Sequence, residues 1–400
     1  MVSHFLPYGR HVIDEVDIAA VSAVLRGDFL TTGPAVDAFE DALAGITGAN
    51  HAVSCSSGTA GLHLAMLAAE LGPGDKAVVP SITFLATANA VRYVGAEVVF
   101  CDVDPETGLM GPKDLEHAVT EHGKAIKAVL PVHLAGQSPD MHGIADIARK
   151  HGMAIVEDAS HALGSTYPGL NGDVSAGGCD NSDMTVFSFH PVKTIAMGEG
   201  GAVTTNNDRL AAKLNDFRNH GMTRNAGRFV NADMAFAANG TANPWYYEMH
   251  EPGFNYRASD IHCALGLSQL EKLEDFVKTR SSLVACYDKM IEPLTPAIRP
   301  LARTPGCHPG WHLYVVLIDF GAIGIERAEV MGRLLEKGIG TQVHYIPIHT
   351  QPYYRDRYGQ STLPGAENYY ARCLTLPLHP GMDEADVKRV VNVLGDIVTT

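Results

Sequence analysis

Basic residues are scarce in this 400-residue sequence: 30 lysines and arginines stand against 45 aspartates and glutamates, for a formal net charge of −15. Binding to a phosphate backbone needs a basic face, so this balance argues against a nucleic-acid partner. No window approaches the roughly 18 consecutive apolar residues of a membrane span. The first residues also lack the basic and apolar stretches of a secretory signal. We therefore expect neither nucleic acid nor a membrane as a partner.

Cysteine and histidine motifs are missing as well. The seven cysteines are odd in number, scattered, and form no C-x-x-C motif, so free thiols in a reducing cytoplasm are the expected state. The 19 histidines form no H-E-x-x-H motif and no paired Cys/His spacing, and we predict no metal site. What remains is the composition of a folded protein, 46% hydrophobic and 19% charged, which a disordered chain does not have.

Short apolar segments alternate with helical patterns over the first half of the chain. Strand-like "KAVVPS" precedes helix-like "FLATANAVRYVG", and helix-like "GIADIARKHG" precedes strand-like "MAIVEDAS". This alternation predicts right-handed β-α-β units and a largely parallel sheet with helices on both faces. Two amphipathic helices come before it, and Asp14 is the expected cap of the first.

The last third of the chain predicts a second, smaller α/β unit. We expect one long helix over "SDIHCALGLSQLEKLEDFVKTRSSLVACYDKMI", then strand "HLYVVLIDF", a helix, strand "IGTQVHYIP" and a final helix. The predicted division is residues 1–255 for the N-terminal helices and large domain, and residues 256–400 for the bridging helix and small domain. Before the boundary, residues 222–252 form a polar insertion, and loops of that length are usually functional or mobile.

Three stretches lie at the carboxyl ends of predicted strands, where open parallel sheets bind ligands. In "SCSSGTAGLHL", Gly58 and Thr59 open a helix whose free N–H groups can hold a phosphate, although an ordinary helix cap looks the same. Asp158 ends the strand "AIVED". Its carboxylate either belongs to a ligand site or only stabilises the fold. Lys193 follows the strand "DMTVFSFH" and precedes "GEGG", which allows close backbone approach. The usual alternative for such a lysine is a solvated loop with no binding role.

One cofactor uses all three of these features. Pyridoxal 5′-phosphate (PLP) needs an amine for its aldehyde and a carboxylate for its pyridine nitrogen. Its phosphate needs N–H and hydroxyl donors. Because the combination is more specific than any single feature, the sequence predicts a PLP site that includes Lys193, Asp158 and the helix start at Gly58.

In these motifs the sequence resembles the DegT-type (DegT/DnrJ/EryC/StrS) sugar aminotransferases, fold-type-I PLP enzymes that act on nucleotide-linked keto-sugars. The resemblance implies a large, mostly parallel seven-stranded α/β/α sandwich domain and a smaller C-terminal α/β domain. The motifs that carry it span nearly the whole chain in order: "SSGTAGLHLA", "TFLATANA", "EDASHALGS", "FSFHPVKTIAMGEGGAV", "FRNHGM", "GFNYRASDIHCALGLSQL" and "QVHYIPIH".

The resemblance also implies roles for individual residues. Lys193 would carry the cofactor as an internal aldimine and shuttle a proton, Asp158 would pair with the pyridine nitrogen, and His161 would lie near the 3-hydroxyl side of the ring. Further cofactor contacts are implied for Phe84 by stacking, for Gly58, Thr59 and Ser188 at the phosphate, and for Asn255 from the neighbouring subunit of a homodimer with shared sites. Substrate contacts are implied for Tyr8, Gly27, Asp28, Phe29, Leu30, Gly58, Ser188, Asn255, Gln342, Val343, His344 and Tyr345.

Within the family, "LPYGR", "GDFLTTGP" and "NYRASDIHCALGLSQL" match the members of pseudaminic-acid biosynthesis best. That match implies amino transfer from L-glutamate, through pyridoxamine phosphate, to C4 of a UDP-linked 2-acetamido-2,6-dideoxy-4-keto-hexose. Members that make a perosamine-like 4-amino sugar or a 3-amino sugar share most of these motifs and stay open as alternatives. If the insertion at residues 222–252 covers the mouth of the site, it influences which sugar is accepted.

Two functions other than amino transfer are less favoured by the sequence. Some members dehydrate or deoxygenate the sugar and have histidine in place of the aldimine lysine, whereas this chain has Lys193. A non-catalytic sensor on the same fold would have lost part of the site or gained a DNA-binding or membrane segment, and neither change is visible in the sequence.

Overall fold

The structure, a computed structural model, describes residues 5–169 and 172–399. Its strands are β1 (His51–Cys55), β2 (Lys76–Pro80), β3 (Glu97–Cys101), β4 (Ile126–Val129), β5 (Ala154–Asp158), β6 (Thr166–Gly169), β7 (Gly172–Ser175), β8 (Met184–Ser188), β9 (Gly201–Thr205), β10 (Met222–Thr223), β11 (Glu248–Met249), β12 (Ile298–Pro300), β13 (Tyr314–Ile318) and β14 (Cys373–Leu376). Its helices are α1 (Glu15–Arg26), α2 (Pro34–Thr47), α3 (Gly58–Ala68), α4 (Leu85–Tyr93), α5 (Pro112–His122), α6 (Met141–Lys150), α7 (Asp208–Arg218), α8 (Ala232–Ala235), α9 (Asp260–Leu270), α10 (Leu273–Ile291), α11 (Phe320–Ile323), α12 (Arg327–Glu336), α13 (Pro352–Tyr358), α14 (Pro364–Arg372) and α15 (Glu384–Thr399).

The predicted seven-stranded, mostly parallel sheet is confirmed, with the strand order β1-β9-β8-β5-β4-β2-β3. Strand β9 is antiparallel to both of its neighbours, β1 and β8. All other neighbouring strands pair in parallel. The six strands other than β9 therefore point the same way, and their carboxyl ends meet at one edge, where ligands bind in such sheets.

Alternate residues of each central strand face opposite layers of helices. In β2, Val78 belongs to a core with Phe39 and Ile144, whereas Val79 belongs to a second core with Leu64. All five side chains are fully buried. Because both faces of the sheet are covered, its strands are continuous apolar runs, which is why the sequence pattern located them.

The starts of the helices follow from their caps. Asp14 caps α1 as predicted: its carboxylate accepts from the N–H groups of Val16 (3.0 Å) and Asp17 (3.1 Å). Ser57 caps α3, with Oγ accepting from the N–H of Ala60 at 3.1 Å. Helix α3 consequently begins three residues after β1 ends, and its first N–H groups, which have no intrahelical acceptor, open at the carboxyl edge of the sheet.

The predicted small α/β unit contains an antiparallel sheet with the order β12-β13-β14. Tyr287, Val316 and Leu334 are fully buried in the core between this sheet and helices α10, α12 and α15. The predicted strand "IGTQVHYIP" is wrong, because this segment makes only isolated bridges, such as the one between Gln342 and Thr375. Val343 and Tyr345 of this segment pack against a buried cluster that includes Val315 and Leu317 of the small sheet, without a continuous backbone ladder.

The predicted long helix is in fact two helices, α9 and α10, which are separated at Glu271 and Lys272. Side chains from the end of α9 and from the break itself converge on the buried carboxylate of Asp17 in α1. Ser268 Oγ donates to it at 2.6 Å, Gln269 Nε2 at 2.8 Å and Lys272 Nζ at 2.7 Å. A buried carboxylate requires such partners. The helical periodicity of the sequence does not indicate that residues near the break bind a carboxylate far away in the chain.

The insertion at residues 222–252 is built around Glu248. Strands β10 and β11 pair at its base. The Glu248 carboxylate accepts from the N–H groups of Val230 and Asn231, each at 2.8 Å, and from the Tyr246 hydroxyl at 3.0 Å. The insertion is therefore folded around the hydrogen bonds of the Glu248 carboxylate.

Three observations concern the chain as a whole. The predicted domain boundary between residues 255 and 256 falls shortly before α9, and as a division into domains it stays a prediction. No helix in residues 5–169 or 172–399 has both the length and the apolar character needed to cross a membrane. All seven cysteines lie in those ranges, and their thiols are free.

Candidate active site

A cavity of about 570 Å³ opens at the carboxyl edge of the central sheet. The start of α3, the end of β5 at Asp158, the segment 188–193 after β8, and the segment 342–346 of the small unit contribute to its lining. Twelve of the predicted site residues line it: Tyr8, Gly58, Thr59, Phe84, Asp158, His161, Ser188, Lys193, Gln342, Val343, His344 and Tyr345.

Five predicted residues do not line this cavity: Gly27, Asp28, Phe29, Leu30 and Asn255. Phe29 instead lines a separate cavity of about 620 Å³, together with Arg224 and Arg257. Phe29 and Leu30 are about half exposed, at 55% and 50%. Within one chain, the structure therefore does not bring these five residues to the cavity lined by the other twelve.

The start of α3 presses against the end of β8. A Cβ atom added at Gly58 would lie 2.7 Å from the Cβ of Ser188, which is closer than non-bonded carbons approach. The first N–H groups of a helix lack intrahelical acceptors and carry the positive end of the helix dipole. With the Ser188 hydroxyl beside them, the N–H groups of Gly58 and Thr59 make a seat for an anion such as phosphate.

The carboxylate of Asp158 is buried and held by two hydroxyl groups. Thr87 Oγ1 donates to Oδ2 at 2.7 Å, and Ser160 Oγ donates to Oδ1 at 2.6 Å. No lysine, arginine or histidine forms a salt bridge with it in residues 5–169 and 172–399. A buried carboxylate without a salt-bridge partner is costly, and a cationic ring nitrogen placed beside it would supply that partner.

Lys193 extends a partly buried amine into the same cavity. Burial lowers the pKa of this amine to about 8, although the negative charge of Asp158 acts in the opposite direction. Within the described ranges the amine has no hydrogen-bond or salt-bridge partner. An unpaired amine with a lowered pKa is the nucleophile that condenses with an aldehyde.

Three buried histidines also line the cavity: His161, His312 and His344. Burial lowers the pKa of each imidazole, and the nearby charge of Lys193 lowers it further. The pKa of His344 falls to about 3. All three rings are therefore neutral near pH 7 and serve as hydrogen-bonding or packing groups.

The residues of the site that were not found from the sequence include Thr87, Ser160 and His312. Thr87 lies one turn after Phe84 inside "TFLATANA", and Ser160 lies two residues after Asp158. A search for donors to the strand-end carboxylate would have found both. His312 gave no such signal, because its contact with the ring of His161, at a centroid distance of 4.4 Å, depends on how the small unit packs.

A larger groove, of about 920 Å³, runs along the edge strand β3. It contains none of the predicted site residues. The amine, the carboxylate and the anion seat share the smaller cavity, so the chemistry of the lining, and not its volume, identifies the site.

The lining fits PLP at three points: an anion seat for the phosphate, a carboxylate without a salt bridge for the ring nitrogen, and a free amine for the aldehyde. The fold and the site thus define a PLP-dependent enzyme of fold type I. Comparison with known proteins makes the assignment narrower. The chain belongs to the DegT/DnrJ/EryC1/StrS aminotransferase family, whose family model matches residues 11–395.

Individual relatives agree with this assignment. The spore coat polysaccharide biosynthesis protein SpsC of Bacillus subtilis (strain 168) is 39% identical over 400 residues, which cover 99% of this chain and 98% of that protein. Helicobacter pylori PseC, an aminotransferase involved in the biosynthesis of pseudoaminic acid, has a TM-score of 0.87 and 28% identity over 99% of both chains. Spr1654 from Streptococcus pneumoniae, a putative sugar aminotransferase in its PLP form, has a TM-score of 0.86 and 28% identity, also over 99% of both chains.

The family, the fold, the cofactor and the class of enzyme predicted from the sequence are confirmed. The chain is a PLP-dependent sugar aminotransferase. The relatives leave its particular sugar, the nucleotide attached to that sugar and its assembly to be argued from the site.

Proposed function

We propose that this chain transfers the amino group of L-glutamate to C4 of a UDP-linked 2-acetamido-2,6-dideoxy-4-keto-hexose. The product is a UDP-4-amino-4,6-dideoxy-sugar for pseudaminic-acid biosynthesis. The observation that carries the proposal is the free amine of Lys193 in one cavity with Asp158, the start of α3 and the segment 342–346. The likeness to PseC over almost the whole chain supports the choice of sugar.

The residues around the cofactor have distinct tasks in this proposal. When bound, PLP supplies an aldehyde that receives the amino group and a ring that delocalises the electron pair. Lys193 holds the cofactor, and its pKa of about 8 lets it take and return a proton at the reacting carbon. Asp158 stabilises a protonated ring nitrogen, and the start of α3 with Ser188 binds the phosphate.

The aromatic wall of the cavity orients the sugar and the ring. Phe84 is 55% exposed, and its ring centroid lies 6.0 Å from that of Tyr345, which leaves a face of Phe84 open for stacking. Tyr8 lies against His344, with ring centroids 5.6 Å apart. Burial raises the pKa of Tyr8, so its phenol stays protonated and donates a hydrogen bond to a sugar oxygen.

A homodimer with shared sites belongs to the proposal. Lys193 is the only lysine or arginine in the described lining of the cavity, yet a nucleotide sugar and glutamate are both anionic. In this proposal, further cations come from a second copy of the chain. The support is the position of Phe29, which lies outside its own catalytic cavity and beside Arg224 and Arg257. In this arrangement residues 27–30 and Asn255 of one subunit complete the site of the other.

The cytoplasm is the proposed place of action. Seven free thiols are typical of a protein from a reducing compartment.

A second sugar is supported by the 39% identity to SpsC, a spore coat polysaccharide biosynthesis protein. The same cavity would then aminate a different nucleotide-linked keto-sugar at C3 or C4. The presence of Lys193 argues against the dehydrating members of the family, and the complete set of amine, carboxylate and anion seat argues against a non-catalytic sensor.

The test is a panel of substrates with the purified, PLP-loaded protein. L-Glutamate alone should bleach the visible band of the enzyme, and the UDP-linked 4-keto-sugar should restore it while gaining nitrogen at C4, as located by NMR. Amination only of dTDP-linked sugars, or at C3, would favour the second sugar. No spectral change with glutamate would contradict the proposed donor.

A further inference from the structure

His161 has both ring nitrogens committed to protein partners. Its Nδ1 lies 3.3 Å from the backbone N–H of Ala135, which can only donate. Its Nε2 lies 3.0 Å from the hydroxyl oxygen of Tyr345. A neutral imidazole has one donor nitrogen and one acceptor nitrogen. Because Nδ1 accepts, the proton of His161 is on Nε2, and Nε2 donates to Tyr345.

The neutral state of His161 is set by its surroundings. The ring is 5% exposed, and His312 packs against it. Burial and the nearby charge of Lys193 hold the pKa of His161 well below its usual value. A second proton on the ring is therefore unfavourable, and the assignment of donor and acceptor nitrogens holds across the working pH range.

Tyr345 consequently has a hydroxyl hydrogen to give. Its oxygen accepts from His161, and this is its one hydrogen bond among the described residues. Burial raises the pKa of the phenol, and the charge of Asp158 raises it further, so the hydrogen is retained. Tyr345 lines the same cavity as Asp158 and Lys193.

One contact of the Tyr345 ring and two contacts of the preceding residue restrict where the ring lies. It stacks on His161 with an interplanar angle of 24°. The preceding carbonyl, of His344, accepts from the Tyr369 hydroxyl at 2.9 Å, and His344 Nδ1 lies 2.8 Å from Thr375 Oγ1. A donor fixed in this way costs little entropy when it binds an acceptor.

We propose that Tyr345 donates this hydrogen to the 3-oxygen of the PLP ring, and that His161 is a positioning residue that acts through Tyr345. The resemblance gave Tyr345 to the sugar and placed His161 itself near the 3-oxygen. In this structure His161 has no free nitrogen with which to bind that atom. The inference rests on the proposed placement of the cofactor, and it concerns a cofactor contact that exists without any sugar.

The test measures binding to the apoprotein of two ligands, pyridoxamine 5′-phosphate and its 3-deoxy analogue, which lacks only the 3-oxygen. Wild type should prefer the parent ligand by about tenfold or more, as expected for a hydrogen bond to a charged oxygen. Tyr345→Phe should lose about tenfold in affinity for the parent and none for the analogue. The melting temperature of each variant reports whether it is folded.

Variants of His161 provide the matched comparison. His161→Leu should lose the same preference, and adding Tyr345→Phe should cause no further loss, because both substitutions remove one interaction. His161→Gln should keep the preference, since its amide can accept from Ala135 and donate to Tyr345. A preference retained in His161→Leu would contradict the positioning role of His161 even if Tyr345→Phe does not fold.

The outcomes that overturn the inference are specific. Equal losses for both ligands in Tyr345→Phe, or none for either, would show that Tyr345 does not contact the 3-oxygen. Additive losses in the double variant would show that His161 binds the cofactor directly. Failure of wild type to bind pyridoxamine phosphate would count against the cofactor site instead, and no result with sugars enters the measurement.

Discussion

The hydroxyl of Thr87 lies 2.7 Å from Oδ2 of Asp158 and links the first turn of α4 to the end of β5. Thr87 is fully buried, and its hydroxyl also lies 2.8 Å from that of Thr83. The orientation of the Asp158 carboxylate therefore depends on a helix that begins directly after Phe84. One short stretch of sequence thus positions both the Phe84 ring and the carboxylate.

Thr87→Val should destabilise the PLP-loaded protein. The substitution removes the hydroxyl at nearly constant volume and leaves the buried carboxylate of Asp158 with one hydrogen-bond donor fewer. The expected cost is about 1–3 kcal/mol in the free energy of unfolding or of cofactor binding. Urea unfolding and cofactor titration measure the two. Thr87→Ser keeps the hydroxyl and should stay close to wild type; equal defects in the two variants would contradict the role of the hydrogen bond.

Lys193→Ala should lower kcat by more than about 10³-fold, because it removes the amine that is proposed to hold the cofactor and move the proton. The circular-dichroism spectrum and melting curve should still show a folded protein. Lys193→Arg keeps the positive charge but cannot act as a free base near neutral pH, so it should be equally inactive. Turnover close to wild type in either variant would refute the assignment.

The stability of the apoprotein should depend on Lys193 in a pH-dependent way. The pKa of the amine is lowered from 10.5 to about 8. Between these values the unfolded chain binds the proton and the folded chain does not, so the stability contributed by this group rises with pH. Below about pH 8 the folded protein carries the full cost of a charged amine in the cavity.

Lys193→Met apoprotein should therefore melt at a higher temperature than wild-type apoprotein at pH 7, and the difference should shrink by pH 10. Differential scanning calorimetry at several pH values measures this. A difference that grows with pH would mean that the amine is not destabilised by burial.

Gly58→Ala should weaken binding of pyridoxamine phosphate about tenfold, because overpacking of this kind costs about 1–3 kcal/mol. The added carbon would lie 2.7 Å from the Cβ of Ser188 and force the start of α3 away. Gly45→Ala is the matched control: it lies in α2 with nothing within 4 Å of an added carbon, and it should stabilise the fold slightly without changing affinity. Equal affinities for all three proteins would argue against the anion seat.

The core of the site could be predicted from sequence because topology brings it together. Gly58, Asp158 and Lys193 each lie at or just after the carboxyl end of a strand, and these strands point the same way. Local patterns locate such strand ends, and parallel pairing places them at one edge. No knowledge of side-chain packing is needed for this step.

Other features depend on contacts between distant segments. The break between α9 and α10 reflects the polar demand of Asp17, which lies more than two hundred residues earlier in the chain. The hydrogen bond between Tyr345 and His161 exists only because the small unit packs over the large sheet. Phe29 was predicted at the site from resemblance alone, and within one chain it lines another cavity. Periodicity and spacing carry no signal of such packing.

The proposed shared site predicts complementation between two inactive variants. Lys193→Ala damages the cavity of its own chain, whereas Asn255→Ala should damage the cavity of the partner. A heterodimer of the two has one site with both defects and one site with neither. If two affinity tags are used to isolate heterodimers, they should recover about half of the wild-type activity per dimer, because a twofold dimer has two equivalent sites.

The matched control is the heterodimer of Lys193→Ala with Asp158→Ala. Both residues line the cavity of their own chain, so each of its two sites carries one defect and no activity should return. Recovery in this control would mean that subunits exchange or that the defects are not local. Absence of recovery with Asn255→Ala, when that variant is inactive by itself, would place Asn255 in the site of its own chain. That result is difficult to reconcile with the position of Asn255 outside the lining of its own cavity, so the experiment decides between a shared site and a self-contained one.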